Sequence, residues 1–108
     1  YDSQPHWEMV MRGHAAANIL PVIASNRIGT EVAPEGREVT FYGSSFIADH
    51  TGAKLAEADR VTEGVITASL DMQAIDKARR NWGVFRDRRN DLYADLAMPT
   101  PARLLPTA

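Results

Sequence analysis

Apolar side chains at Trp7, Val10, Met11 and Ala15, with His14 among them, recur at the three- and four-residue interval of a helix. Asp2 and Ser3 ahead of them offer N-cap oxygens and Pro5 fits a first turn, so the pattern predicts a helix over 4–17. Glu8 and Arg12 lie four apart with the acid first, which suits a weak surface pair on the other face. Asn18, tolerant of left-handed backbone, is the expected stop.

Positions 19–24 form a continuous apolar run with three β-branched residues, the composition of a strand covered on both faces. Pro21 cannot donate to a ladder, so it implies a strand start, a bulge or an edge. The stretch 25–36 is polar and holds Gly29, Pro34 and Gly36, and is expected to be a connection with room for a short strand. Positions 39–48 are β-branched and aromatic but broken by Gly43, Ser44 and Ser45, which predicts a bent or two-part strand.

Asp49-His50-Thr51-Gly52 has turn composition, and 54–58 alternates again, so a hairpin is expected there. Alternation over 65–70 predicts one more strand, with Ile66, Ala68 and Leu70 on the more apolar face. Asp71 can cap a second helix with Ala74, Ile75 and Ala78 on one stripe, Lys77, Arg79 and Arg80 near its C-terminal end, and Asn81 and Gly83 as stops. Aromatics and dense charge fill 82–93, and Pro99, Pro101 and Pro106 point to a disordered tail over 97–108. The order of elements predicts an α/β chain, a sheet with helices on one face.

With 108 residues, the chain holds one domain at most, and a formal charge of −2 with 44% hydrophobic positions is the composition of a globular protein rather than a disordered or fibrous one. Its longest apolar stretch, 15–24, is interrupted by Asn18 and Pro21 and falls short of the roughly 20 residues a bilayer span needs. The absence of cysteine removes disulfides, thiolate zinc sites and a thiol nucleophile from this chain. It opens on Tyr1, and no basic stretch leading into an apolar run follows, so the expectation is a chain cut at its N-terminus.

Little of this amounts to visible chemistry. His6 and His14 stand about two helical turns, or ~12 Å, apart, too far to share an ion, and His50 sits in a turn, so no metal is expected. Gly43-Ser44-Ser45 lacks the Gly-x-Ser-x-Gly frame of a nucleophile elbow, although a glycine with small polar neighbours suits a backbone that lines a pocket. The segment 77–89 holds six of the chain's twelve lysines and arginines, interleaved with Trp82 and Phe85. Asp76 and Asp87 break that run and the whole chain is acidic, which favours an Arg-Asp network around a docked segment over nucleic-acid binding.

A set of motifs taken in order carries a resemblance: Asp2-Ser3-x-x-His6-Trp7, Gly13-His14-Ala15-Ala16-Ala17-Asn18, Ala24-Ser25-Asn26-Arg27-Ile28-Gly29, Phe41-Tyr42-Gly43-Ser44-Ser45-Phe46-Ile47-Ala48 and Trp82-Gly83-Val84-Phe85-Arg86-Asp87-Arg88-Arg89. Together they resemble the carbon-nitrogen hydrolase (nitrilase) superfamily over 1–96. The 25–29 and 82–93 stretches resemble its N-carbamoylputrescine branch in particular. Asp49-His50 departs from the residue-Pro pair more usual there, at a turn.

The resemblance implies the C-terminal part of a four-layer α-β-β-α sandwich from a cytoplasmic, cofactor-free hydrolase. Its chemistry would use a cysteine thiolate, two glutamates and a lysine, all preceding this segment, so no catalytic residue falls within it and the segment alone would be inactive. The implied substrate is a small N-carbamoyl amine, cleaved to putrescine, ammonia and carbon dioxide, with no role for nucleic acid or membrane. Asn26 and the Phe41-Tyr42-Gly43 turn match positions near the substrate pocket. Helix 4–17 and the segment after Trp82 match elements that join subunits, so a homo-oligomer is implied. Another superfamily amidase or carbamoylase, or a non-catalytic α/β interaction module, remain the alternatives.

Overall fold

A computed structural model describes residues 2–97. Helix α1 spans Gln4–Asn18. Its first turn is closed from Asp2, whose Oδ1 accepts the Gln4 N–H at 3.1 Å, while Ser3, at the N-cap position, makes no side-chain cap bond. At the other end the left-handed residue is Ile19 (φ 50°), not Asn18, which is the last helical residue. A left-handed β-branched residue costs about 1–2 kcal/mol, and burying an isoleucine returns about 1.5–3 kcal/mol. Ile19 is only 5% exposed, so packing decides where the helix stops.

Strand β1 (Val22–Ala24) begins directly after Pro21, so the expected run over 19–24 is a strand only in its second half. It pairs antiparallel with β4 (Phe46–Ala48), Ile23 facing Ile47, and β4 pairs with β5 (Lys54–Glu57) in the expected hairpin. The polar 25–36 connection contains a full strand, β2 (Ile28–Val32), which pairs with β3 (Glu38–Tyr42) as a separate two-stranded arm. The predicted two-part strand over 39–48 is thus divided between two sheets, β3 in the arm and β4 at the centre of the order β1-β4-β5.

Cross-strand partners project to one face of a sheet. Val22, Ala24, Phe46 and Ala48 turn toward α1 and pack with Ala15, Trp7 and Met11 to form the core. Three alanines let the helix lie close, and Phe46 fills the space, 1% exposed with Trp7 edge-on at 5.5 Å. Val10 and His14, expected on the packed stripe, are exposed. The 49–52 turn tucks under α1: a Cβ on Gly52 would stand 2.9 Å from the Arg12 carbonyl, and Arg12 Nε donates to Gly52 O at 2.7 Å.

The strand expected over 65–70 is not formed; no neighbouring backbone among the described residues offers it a ladder, and Val65 is 91% exposed. Helix α2 (Met72–Trp82) is capped as predicted, with Asp71 Oδ1 accepting the Ala74 N–H at 2.9 Å and Gly83 left-handed at its end. Asn81 lies inside the helix. Two 3-10 turns, Asn90–Leu92 and Ala94–Ala97, follow. Beyond Ala97, the expected disordered tail lies outside the described residues. The molecule is a plate of 52 × 48 × 17 Å with a radius of gyration of 19.0 Å, against about 13 Å for a compact chain of this length.

Candidate functional site

The corner between β3 and β4 is built from two consecutive left-handed residues, Gly43 (φ 53°) and Ser44 (φ 57°). Such backbone persists only where its surroundings fix it. Here the Gly43 N–H donates to Arg27 O at 2.9 Å, the Ser44 N–H to Asp59 O at 3.1 Å, and the Ser44 hydroxyl to Tyr42 O at 3.0 Å. Asn26 closes the arrangement from the β1–β2 crossing: its Nδ2 donates to Gly43 O at 3.0 Å and its Oδ1 accepts the Arg27 N–H at 2.9 Å. The Ser45 Oγ accepts the Asn26 N–H at 2.8 Å and donates to Asn26 O at 3.2 Å.

Asn26, Gly43 and Ser45 line a cleft of about 540 Å³ together with the charged residues Arg27, Asp59 and Glu63 and the apolar side chains of Ile23, Ile47 and Ile66. That is the size range of a small-molecule site. The Gly43 and Ser44 N–H groups at the corner are both engaged by backbone carbonyls, so neither is free to face the cleft as an oxyanion donor.

The four residues expected near a pocket separate in space. Asn26 and Gly43 meet at the cleft, whereas Phe41 and Tyr42 do not line it. Phe41 lies under the Arg27 guanidinium, 4.1 Å from carbon to ring centroid, and Tyr42 packs on Trp7 at 5.6 Å. Period-two alternation sends these neighbours to opposite faces of the arm. Ser45, one of the small polar neighbours of Gly43 read from the sequence as suited to a pocket lining, does line the cleft, whereas Asp59 belongs to the same constellation and has no counterpart in the sequence reading. An Asp followed two and three residues later by acceptor-seeking N–H groups is an Asx-turn signal, and Asp59 Oδ1 accepts from Val61 N at 2.8 Å and Thr62 N at 2.6 Å. Those backbone bonds hold the Asp59 carboxyl below the usual carboxylate range.

Several of the charges elsewhere are paired. Glu8 accepts from Lys54 at 3.0 Å, Arg12 at 3.2 Å and Gln4 at 2.8 Å, and Lys54 also meets Glu57. The Lys54 bond leads in lowering the Glu8 pKa, and the bond to Glu57 leads in raising that of Lys54. In the Arg-rich segment Arg80 pairs with Asp76, Arg86 with Asp87 and Arg89 with Asp91. Arg79 donates to the Asn18 and Ile19 carbonyls at 2.6 and 3.3 Å and stacks over Phe85, tying α2 to the end of α1. His6 and His14 are exposed and His50 is half-buried. Among the described residues no group of three or more His, Cys, Asp or Glu is placed to hold a metal ion, and no helix is long and apolar enough to cross a membrane.

A carbon-nitrogen hydrolase family profile matches residues 1–80. The chain is 54% identical over 96 residues to a citrullinase from Francisella tularensis, covering 89% of this chain and 33% of that protein. It is 53% identical over 95 residues to an N-carbamoylputrescine amidase from Arabidopsis thaliana, covering 85% and 32%. Its structure superposes on the crystal structure of a carbon-nitrogen hydrolase from Helicobacter pylori G27 with a TM-score of 0.83 at 42% identity, over 92% of this chain and 34% of that one. The chain therefore spans about a third of the length of the relatives it matches.

Proposed function

The chain belongs to the carbon-nitrogen hydrolase family, and from that premise we propose that it is the C-terminal portion, over 1–96, of an N-carbamoylputrescine amidase of the cytoplasm. The observation that carries this reading is the 53% identity to the Arabidopsis enzyme of that name, across nearly the whole of the described chain. The reaction is hydrolysis of the ureido group, releasing the amine with ammonia and carbon dioxide as water is consumed, by acyl transfer through a thiolate. This chain has no cysteine. Its contribution is therefore shape: Asn26, Gly43 and Ser45 fix one end of the cleft, and Phe41 and Tyr42 brace the arm and α1 behind it.

Homo-oligomer formation through α1 and the segment after Trp82 belongs to the same proposal. Its support is apolar side chains left in solvent there, with Met9 74% and Trp82 73% exposed. No cofactor or nucleic acid enters it; the pairing of Arg80, Arg86 and Arg89 with aspartates supports a structural use of that charge.

A second reading keeps the family and changes the substrate, since the Francisella citrullinase is 54% identical. Ammonia release from N-carbamoylputrescine and from citrulline separates the two when this chain is joined to the rest of its fold. The 108 residues alone should release none above a blank, and release that survives repeated purification would overturn the assignment.

A further inference from the structure

The corner at Gly43 and Ser44 is held from outside both sheets. Residues 58–62 follow β5 as a turn that belongs to none of the five strands, yet they meet the corner at three points. The Ala58 N–H donates to Ser45 O at 2.8 Å and the Ser44 N–H to Asp59 O at 3.1 Å. A Cβ on Gly43 would stand 3.0 Å from Asp59 O and 3.3 Å from Arg60 Cα. What aims the Asp59 carbonyl is its own carboxylate, whose Oδ1 accepts the Val61 N–H at 2.8 Å and the Thr62 N–H at 2.6 Å and so closes the turn on itself. Arg60 ties that turn to the front of α1, donating to Asp2 at 3.0 Å and Gln4 at 3.4 Å.

The geometry points to Asp59 as a positioning residue of the cleft, acting through Ser44 and Gly43 on Asn26. The Gly43 carbonyl is the acceptor for Asn26 Nδ2, and Ser45 exchanges two hydrogen bonds with the Asn26 backbone, so a corner released from the turn carries Asn26 with it. Asp59 lines the same cleft, with Thr62 and Glu63 after it. A left-handed serine persists only while its surroundings over-determine it, and without Asp59 Oδ1 the turn that aims its carbonyl loses both closing bonds. Bond breaking depends on a thiolate that this chain lacks. A displaced wall should therefore show in capture of the substrate, as a change in KM, and not in kcat. The inference rests on reading this cleft as part of the substrate site.

The test is steady-state kinetics on N-carbamoylputrescine, with this chain joined to the rest of its fold, together with hydrogen exchange on the same proteins. Asp59→Ala should raise KM about three- to tenfold, the scale of one or two modest hydrogen bonds, with kcat unchanged. Asp59→Asn keeps an acceptor at Oδ1 and should restore KM. Asp71→Ala removes the same kind of cap from α2, away from the cleft, and should leave KM where it was. Exchange should quicken at the Ser44 and Asn26 amides in Asp59→Ala but not in Asp71→Ala. A fall in kcat with KM unmoved, an equal rise in KM from Asp71→Ala, or no recovery in Asp59→Asn each overturns the inference. A joined protein that is silent on N-carbamoylputrescine sinks the substrate assignment instead, and exchange then decides the role of Asp59 by itself: quickened at Ser44 and Asn26 it stands, unchanged it falls.

Discussion

Asn26 and Gly43, 17 positions apart in the chain, are joined by a 3.0 Å hydrogen bond from the Asn26 amide to the Gly43 carbonyl. The same side chain accepts from the Arg27 N–H, so one residue holds both crossings between the sheet and the arm. Asn26→Ala removes both bonds and strands a half-buried carbonyl, at a cost of about 1–3 kcal/mol. A lower urea midpoint, followed by tryptophan fluorescence, is the expected result; Asn26→Asp should recover only the accepting half.

Gly43 and Gly29 are both left-handed, yet their surroundings differ. A Cβ at Gly43 would stand 2.6 Å from Ile28 Cγ2 and 3.0 Å from Asp59 O, while one at Gly29 meets nothing within 4 Å. Gly29→Ala should therefore cost only backbone strain, about 1–2 kcal/mol. Gly43→Ala should cost about 1–3 kcal/mol more from overpacking. Ile28→Ala in the same chain should relieve part of that excess, and equal losses for the two glycine variants would refute the close approach.

Acid should loosen the seat of α1 on the hairpin. Glu8 has its pKa lowered in the folded chain, first by the bond from Lys54. A carboxyl depressed on folding stabilises fully above its unfolded pKa, and that contribution disappears as pH falls through the folded value. Melting temperature should thus decline on the acid side, and Glu8→Gln should lower it at neutral pH by the equivalent of about 1 kcal/mol while flattening the decline. An unchanged slope in Glu8→Gln would assign the acid sensitivity elsewhere, with Asp49, lowered chiefly by Thr51, the next group to replace.

Helix α2 depends on its cap. Asp71→Ala removes the acceptor for the Ala74 N–H and should cost about 1 kcal/mol, whereas Asp71→Asn should lose little. Helical ellipticity near the start of the melt reports the difference.

Both helices were legible because their signals are local: a 3.6-residue stripe, an aspartate cap, and a glycine at the end of α2. The strands were legible only in part. Alternation over 65–70 meets the requirement for a strand's side chains but says nothing of a neighbour for its backbone, and among the described residues none lies beside it. Conversely β2 looked polar because Gly29, Thr30 and Glu31 face solvent in a two-stranded arm, where no core demands apolar residues. Ile19 took the left-handed position expected of Asn18 because tertiary burial outweighed local preference. At the site, Gly43 announced a bend, but its contact with Asn26 joins two chain crossings and leaves no local signature. Nor does composition separate Phe41 from Tyr42, which the pleat sends apart.

The arm formed by β2 and β3 closes at its far end through the Gly36 N–H to Ala33 O and the Ala33 N–H to Arg37 O, both 2.8 Å. Between that tip and the Asn26 clasp runs a ladder of five paired residues on each strand. A peptide spliced in at Pro34 or Glu35 is therefore insulated from the cleft by the whole length of the ladder. The tip is the natural place for a tag, a fluorophore or a surface tether, where added length leaves Asn26 unmoved.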